Sequence, residues 1–309
     1  MKVYDNFIEL IGNTPLVRLE KIEKLYNTKA NLICKIESFN PAGSIKDRIG
    51  KEMIFDALEK GLINKDTVLV DATSGNTGIG LAMVAAILNM KLIIAMPNTM
   101  SVERIKLLKA YGAEVVLTDG SLGMRGAISK AHEIAQNTPN SFVPSQFTNK
   151  ANPLSHYKTT GKEIYDDLDG KVDVVVAGVG TGCTISGVGK FLKEKNPNVK
   201  IIAVEPLSSA VLSGEKSGPH LIQGIGAGFI PDTLDTNIYD EVIKISNEEA
   251  LNGGRIIAKT EGILVGISSG ASLMASIKVA QRDELKDKNV VVIFPDGGEK
   301  YLSTKLFEE

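Results

Sequence analysis

Short apolar, β-branched runs alternate with helix-length stretches along most of the chain. Six of them, TVLVDA, KLIIAM, EVVLT, DVVVAG, KIIAVE and VVVIFP, are nearly all apolar, as expected of strands covered by helices on both faces. Segments such as Asn76 to Leu88 and Ser101 to Tyr111 lie between them. This alternation predicts an α/β fold built on mostly parallel, twisted sheets flanked by helices. The strands fall into two sets of three, one within about 47–149 and one from about 152 onward, joined by the polar, proline-bearing PSQFTNKANP. Two domains are expected, with a ligand in the cleft between them at the carboxyl ends of the strands.

Composition narrows the function. The 309 residues are 43% hydrophobic and carry a formal net charge of −2, enough apolar chain for a substantial core. Positive and negative residues are interspersed, so no basic stripe points to nucleic acid or an anionic membrane. The N-terminus lacks a leader-like apolar segment and no run of about 18 apolar residues occurs, so a cytoplasmic protein is expected. Cys34 and Cys183 form neither a disulfide framework nor a CxxC pair. His132, His156 and His220 lack metal-ligand spacing, so no metal site is expected and each histidine is read as a surface or satisfied structural residue.

Four loops carry candidate chemistry. In GVGTGCTISG, Gly178 to Gly187, glycines after a strand let backbone N–H groups approach an anion, and a helix starting near Thr184 would turn its positive end toward a phosphate. A dinucleotide-binding loop is the rival, with Glu205 where a ribose-binding acid belongs. Position 183 is cysteine where GxGxxG needs its third glycine, so that fingerprint is broken. DATSGNTG, Asp71 to Gly78, offers the hydroxyls of Thr73, Ser74 and Thr77 and the Asn76 amide, a set suited to a carboxylate. It has no Walker lysine. GILVGISSGAS, Gly262 to Ser272, reads as a strand running into a helix, with Ser268 or Ser269 as its N-cap. GPHLIQGIGAGFIP, Gly218 to Pro231, is too glycine-rich for a regular element and too apolar for an ordinary surface loop.

A fifth stretch, SFNPAGSIKDR, places Lys46 where strand, turn and helix start meet. A cation there opposes the helix dipole, so Lys46 is either incidental or wanted without its charge. A lysine amine, a phosphate cradle, a carboxylate-suited loop and a strand-end serine combine into pyridoxal phosphate held as a Schiff base. Residue chemistry alone leaves open which of the many lysines forms that bond.

ELIGNTPLVRL, NPAGSIKDRIG, TSGNTGIGLA, GVGTGCTISG, GPHLIQGIGAGFIP, EGILVGISSGA and GEKYLST, in that order, resemble the cysteine synthase (O-acetylserine sulfhydrylase) family of fold-type II pyridoxal-phosphate enzymes. The resemblance covers essentially the whole chain. It implies that Lys46 is the Schiff-base lysine, that Asn76 bonds the cofactor's phenolic oxygen, and that Gly180, Thr181, Gly182, Cys183 and Thr184 hold its phosphate. It places Ser268 against the pyridine nitrogen, where a serine favours β-elimination over transamination. Thr73, Ser74, Asn76, Thr77 and Gln146 match the grip on the substrate α-carboxylate. Residues 47–150 would form a smaller mobile domain carrying that loop, and 1–46 plus 151–309 a larger cofactor-binding domain.

The implied reaction is a β-replacement through an α-aminoacrylate: O-acetyl-L-serine plus sulfide gives L-cysteine plus acetate, with Lys46 removing and returning the Cα proton. A homodimer is implied and, in some members, docking of a serine acetyltransferase C-terminal tail.

Several positions depart from the family pattern. Cys183 replaces a glycine, Ser145 stands where glutamine is common, and DATSGN and FPDGGEK are unusual. Asp232 follows GFIP at a variable position. It is either a solvated loop residue or a general base for an incoming water or thiol. In the second case the same chemistry would run on L-cysteine, releasing sulfide and giving serine or a thioether amino acid.

Overall fold

A computed structural model describes residues 3–308. Its strands are β1 (Leu16–Arg18), β2 (Asn31–Ile36), β3 (Val68–Ala72), β4 (Leu92–Pro97), β5 (Glu114–Thr118), β6 (Ser141–Phe142), β7 (Val174–Gly178), β8 (Lys200–Pro206), β9 (Glu241–Ile245) and β10 (Asn289–Phe294). Its α-helices are α1 (Glu20–Tyr26), α2 (Lys46–Glu59), α3 (Asn76–Ile87), α4 (Val102–Ala110) and α5 (Gly123–Asn137), followed by α6 (Ala151–Lys158), α7 (Thr160–Asp167), α8 (Cys183–Lys195), α9 (Asn247–Glu261) and α10 (Ile267–Ala280). The contacts divide the chain into two compact units, one of residues up to Ile11 plus Asn40–Asn152, the other of Gly12–Phe39 plus the chain from Pro153 onward.

The first unit holds a parallel sheet in the order β5-β4-β3-β6. Helix α5 lays Ala127 and Ala131 against Val70, Ile93 and Ala95. Helices α2 and α3 approach through glycine: a Cβ on Gly50 would lie 2.8 Å from the Gly80 carbonyl carbon, and one on Gly80 would lie 2.8 Å from the Lys46 oxygen. Residues 40–45 belong to this unit because they are tied to the start of α2. Gly43 N–H donates to the Asn40 carbonyl at 2.8 Å and Ala42 N–H to Asp47 at 2.6 Å.

The second unit holds the sheet β1-β2-β10-β7-β8-β9. It is parallel except for β1, which runs antiparallel to β2. Central β10 pairs on both sides, Val291 facing Ile33 of β2 and Val175 of β7. The adjacent helices α9 and α10 supply Ala250, Ile257, Leu273 and Ile277 to the core. Lys35 is fully buried in β2, its amine 2.8 Å from Glu163 and donating to the Thr14 carbonyl at 2.6 Å, the pairing that a buried cation requires.

All six apolar runs are strands. The additional strands are β2, inside the larger sheet between β1 and β10, and β1, β6 and β9, each at a sheet edge, where one side is unpaired and no two-faced apolar run is needed. The strand expected before α10 does not form: only an isolated antiparallel bridge joins Val265 to Gly297.

Candidate active site

Two helix starts stand together in the first unit. Lys46 is the first residue of α2, half-buried, and its N–H donates to the Ser44 hydroxyl oxygen at 3.2 Å. Asp47 beside it is fully buried and accepts from the Ala42 N–H and the Ser44 hydroxyl, placing a carboxylate at the positive end of the helix. Asn76 opens α3, one turn before Gly80, and Gly80 rests on the Lys46 carbonyl. The absence of a side chain at Gly80 therefore lets the α2 start come close to α3.

The loop between β3 and α3 is held from several sides. The Arg104 guanidinium of α4 donates to the Ser74 carbonyl at 2.7 Å. The Gly75 N–H donates to the Thr73 hydroxyl oxygen at 3.4 Å, and a Cβ on Gly78 would strike the Thr73 methyl at 2.8 Å. The Thr77 hydroxyl donates to the Gln146 side-chain oxygen at 2.6 Å, and the Gln146 carbonyl accepts from the Asn152 amide at 2.7 Å. Thr73, Ser74, Asn76, Thr77 and Gln146 are thus one cluster. Asp71, at the end of β3, is buried with one carboxylate oxygen receiving the Ala72 N–H and the other receiving no hydrogen bond. Burial pushes its acid up to about 6.

In the second unit β7 runs into α8 through Val179 to Gly182. Gly182 is the N-cap, in the left-handed region at φ 76°, and no side chain caps the helix. Gly180 passes so close to Gly224 that a Cβ would lie 2.3 Å from the Gly224 oxygen. The loop 218–231 is stitched onto the strand end by the Gly226 N–H donating to Val179 at 2.9 Å, and the Thr233 hydroxyl donates to the Thr181 carbonyl at 2.6 Å. Asp232 is exposed on that same segment. The Thr181 hydroxyl donates to the Cys183 sulfur at 2.8 Å. Thr184 reaches His156 Nε2 at 3.4 Å, and His156 Nδ1 pairs with Thr160 at 2.9 Å. The fully buried His156 is a satisfied internal residue.

Helix α10 corrects one expectation. Its N-cap is Gly266, with no side-chain cap, so neither Ser268 nor Ser269 caps it. Both serines sit inside the first turn and are buried. The Ser269 hydroxyl receives no partner, and a Cβ on Gly224 would lie 3.6 Å from the Ser268 hydroxyl. Glu205 is also committed: its carboxylate accepts from Leu212 N–H, Ser213 N–H and the Ser213 hydroxyl at 2.8, 3.1 and 2.6 Å. That use removes it as a ribose ligand.

Helices α3, α8 and α10 all start from glycine without a side-chain cap, the kind of helix start at which an external anion can be received. The cradle of Gly180, Thr181, Gly182, Cys183 and Thr184 has close backbone approach and hydroxyls, and so fits a phosphate. The candidate residues form two sets. Lys46, Thr73, Ser74, Asn76, Thr77 and Gln146 belong to the first unit; the phosphate cradle, Ser268 and Asp232 belong to the second. The residues not anticipated from sequence are Arg104 and the buried charge of Asp71. No group of three or more metal-ligating side chains occurs among the described residues, and no helix among them is long and apolar enough to cross a membrane.

Parallel sheets whose strand ends run into glycine-started helices, with a lysine opening another helix, define an α/β enzyme built for an anionic cofactor. Residues 8–296 match the family described as pyridoxal-phosphate dependent enzyme, and the chain belongs to that family. A Buchnera aphidicola cysteine synthase is 51% identical over 315 residues, covering 99% of this chain and 96% of that one. The crystal structure of a cysteine synthase from Entamoeba histolytica superposes with a TM-score of 0.97 at 44% identity, over 99% of this chain and 91% of that one. A hydrogen sulfide-producing enzyme from Fusobacterium nucleatum superposes with a TM-score of 0.92 at 48% identity, over 97% of this chain and 100% of that one. The fold is that of the fold-type II enzymes.

Proposed function

We propose that the protein makes L-cysteine from O-acetyl-L-serine and sulfide, using pyridoxal phosphate. The observation that carries this reading is full-length identity of about half with cysteine synthases, joined to a lysine at a helix start and an uncapped phosphate cradle in the same chain. The bound cofactor supplies the electron sink for breaking bonds at Cα and Cβ of an amino acid. Lys46 holds it through Nζ and, once released, moves the Cα proton. Asn76 and the residues 180–184 would orient it, and Ser268 would offer its ring a neutral hydroxyl rather than a carboxylate. Thr73, Ser74, Asn76, Thr77 and Gln146 bind the substrate carboxylate.

A second reading, breakdown of L-cysteine with release of sulfide, is supported by the likeness to the Fusobacterium enzyme and by the exposed Asp232 carboxylate as base. Turnover of O-acetyl-L-serine plus sulfide is expected to exceed that of L-cysteine alone. The reverse ranking, with loss of the cysteine reaction in Asp232→Asn, would establish the second reading instead. Lys46→Ala is expected to lose covalent cofactor attachment, read by mass after borohydride reduction; retention at another lysine would overturn the assignment of Lys46.

The family resemblance further supports a homodimer, a cytoplasmic location and docking of a serine acetyltransferase C-terminal tail. Sedimentation of the protein alone, and competition between a carboxylate-ended peptide and the amino-acid substrate, test the dimer and the docking.

A further inference from the structure

We propose that Arg104 is a positioning residue for substrate binding: it locks the Ser74–Gly75 peptide so that the loop presents N–H groups, not a carbonyl, to the substrate carboxylate. The inference rests on the assignment of residues 73–77 to that carboxylate. Arg104 Nη1 donates to the Ser74 carbonyl at 2.7 Å. In a planar trans peptide the carbonyl and the following N–H point opposite ways, so this bond fixes the direction of the Gly75 N–H. That N–H is found with only a 3.4 Å contact to the Thr73 hydroxyl.

A lock is needed because the residue after the carbonyl is glycine, for which both orientations of the preceding peptide are accessible. Packing does not require that glycine, since a Cβ on Gly75 would meet no atom within 4 Å. The opposite orientation would turn the Ser74 oxygen toward the carboxylate. The Arg104 bond is charge-assisted, the stronger class of hydrogen bond. It is also well mounted. Leu108, one turn further along α4 on the same face, is buried, and its Cδ2 would lie 3.6 Å from a Cβ on Gly78 in the first turn of α3.

The test compares wild-type, Arg104→Gln and Arg104→Lys holoenzymes with O-acetyl-L-serine and with its α-carboxamide. Arg104→Gln is expected to raise KM for the carboxylate substrate about 10- to 100-fold, the effect of one lost charge-assisted hydrogen bond. It should leave the carboxamide, the KM for sulfide and the absorbance of bound cofactor within about twofold. Arg104→Lys, which keeps a cationic donor, should recover part of the loss. Hydrogen exchange at the Gly75 amide should accelerate in Arg104→Gln, with the β4 amides unchanged. Equal loss on carboxylate and carboxamide, unchanged KM, or faster exchange throughout the unit would overturn the role of Arg104. A wild type that does not distinguish carboxylate from carboxamide would overturn the loop assignment itself and the inference with it.

Discussion

The Thr77 hydroxyl donates to the Gln146 side-chain oxygen at 2.6 Å. With that oxygen engaged, the Gln146 amide is oriented as a donor, aimed by a residue in the first turn of α3. Gln146→Glu is expected to raise KM for the amino-acid substrate by about tenfold or more, because an acceptor-only carboxylate replaces the donor. Thr77→Val should produce a smaller rise by freeing the Gln146 side chain to flip. Steady-state kinetics at fixed sulfide measure both, and a sulfide KM that moved as much as the amino-acid KM would count against the carboxylate role.

The packing of Gly80 on the Lys46 carbonyl makes a second prediction. An added Cβ would lie 2.8 Å from that oxygen, against backbone that cannot rotate away. Gly80→Ala is expected to cost about 1–3 kcal/mol of stability, the usual range for overpacking. It should also lower the fraction of protein carrying covalently attached cofactor. Chemical denaturation and mass after borohydride reduction read the two effects, and a variant of unchanged stability would mean that α2 and α3 separate freely.

Gly180→Ala tests the cradle. Its Cβ would lie 2.3 Å from the Gly224 oxygen, forcing the loop 218–231 off the start of α8. Binding of pyridoxal phosphate should weaken by about tenfold or more, on the scale of 1.4 kcal/mol per decade. Cys183→Ser, which preserves size and a partner for the Thr181 hydroxyl, should bind the cofactor nearly as well as wild type. Fluorescence titration of cofactor-free protein distinguishes them; equal affinity for all three proteins would remove the loop from the phosphate site.

What the sequence reveals is what local chemistry dictates. The two-faced apolar strands were legible because each carries its own hydrophobic run, and the glycine loops because tight turns and anion contacts demand glycine near strand ends. Strands β1 and β6 were not legible because three and two residues are too few to show a period, and β9, EVIKI, because Glu241 and Lys244 interrupt its apolar run. Ser268 and Ser269 looked like caps because serine favours N-caps, yet Gly266, two and three residues earlier, is the N-cap, and both serines are buried within the first turn. Arg104 left no local signal at all, because its partner Ser74 lies thirty residues away and is joined to it only by the packing of α4 on α3.

Asp71 supplies a pH signature that the rest of the loop does not. Its acid is raised from 3.8 to about 6 by burial. Between these values the folded chain holds a proton that the unfolded chain has released. Stability attributable to this group is therefore present below pH 3.8, falls as pH rises, and is fully lost above about 6. The shift corresponds to about 3 kcal/mol at 1.36 kcal/mol per pH unit. Asp71→Asn removes the titration while retaining an oxygen for the Ala72 N–H. The stability of Asp71→Asn relative to wild type should rise by about 2 kcal/mol between pH 4 and pH 7.5, the remainder of the shift lying below pH 4, whatever the offset between the two proteins at low pH. Urea denaturation across that range measures the difference directly, and parallel curves for the two proteins would show that the Asp71 carboxylate is solvated rather than buried.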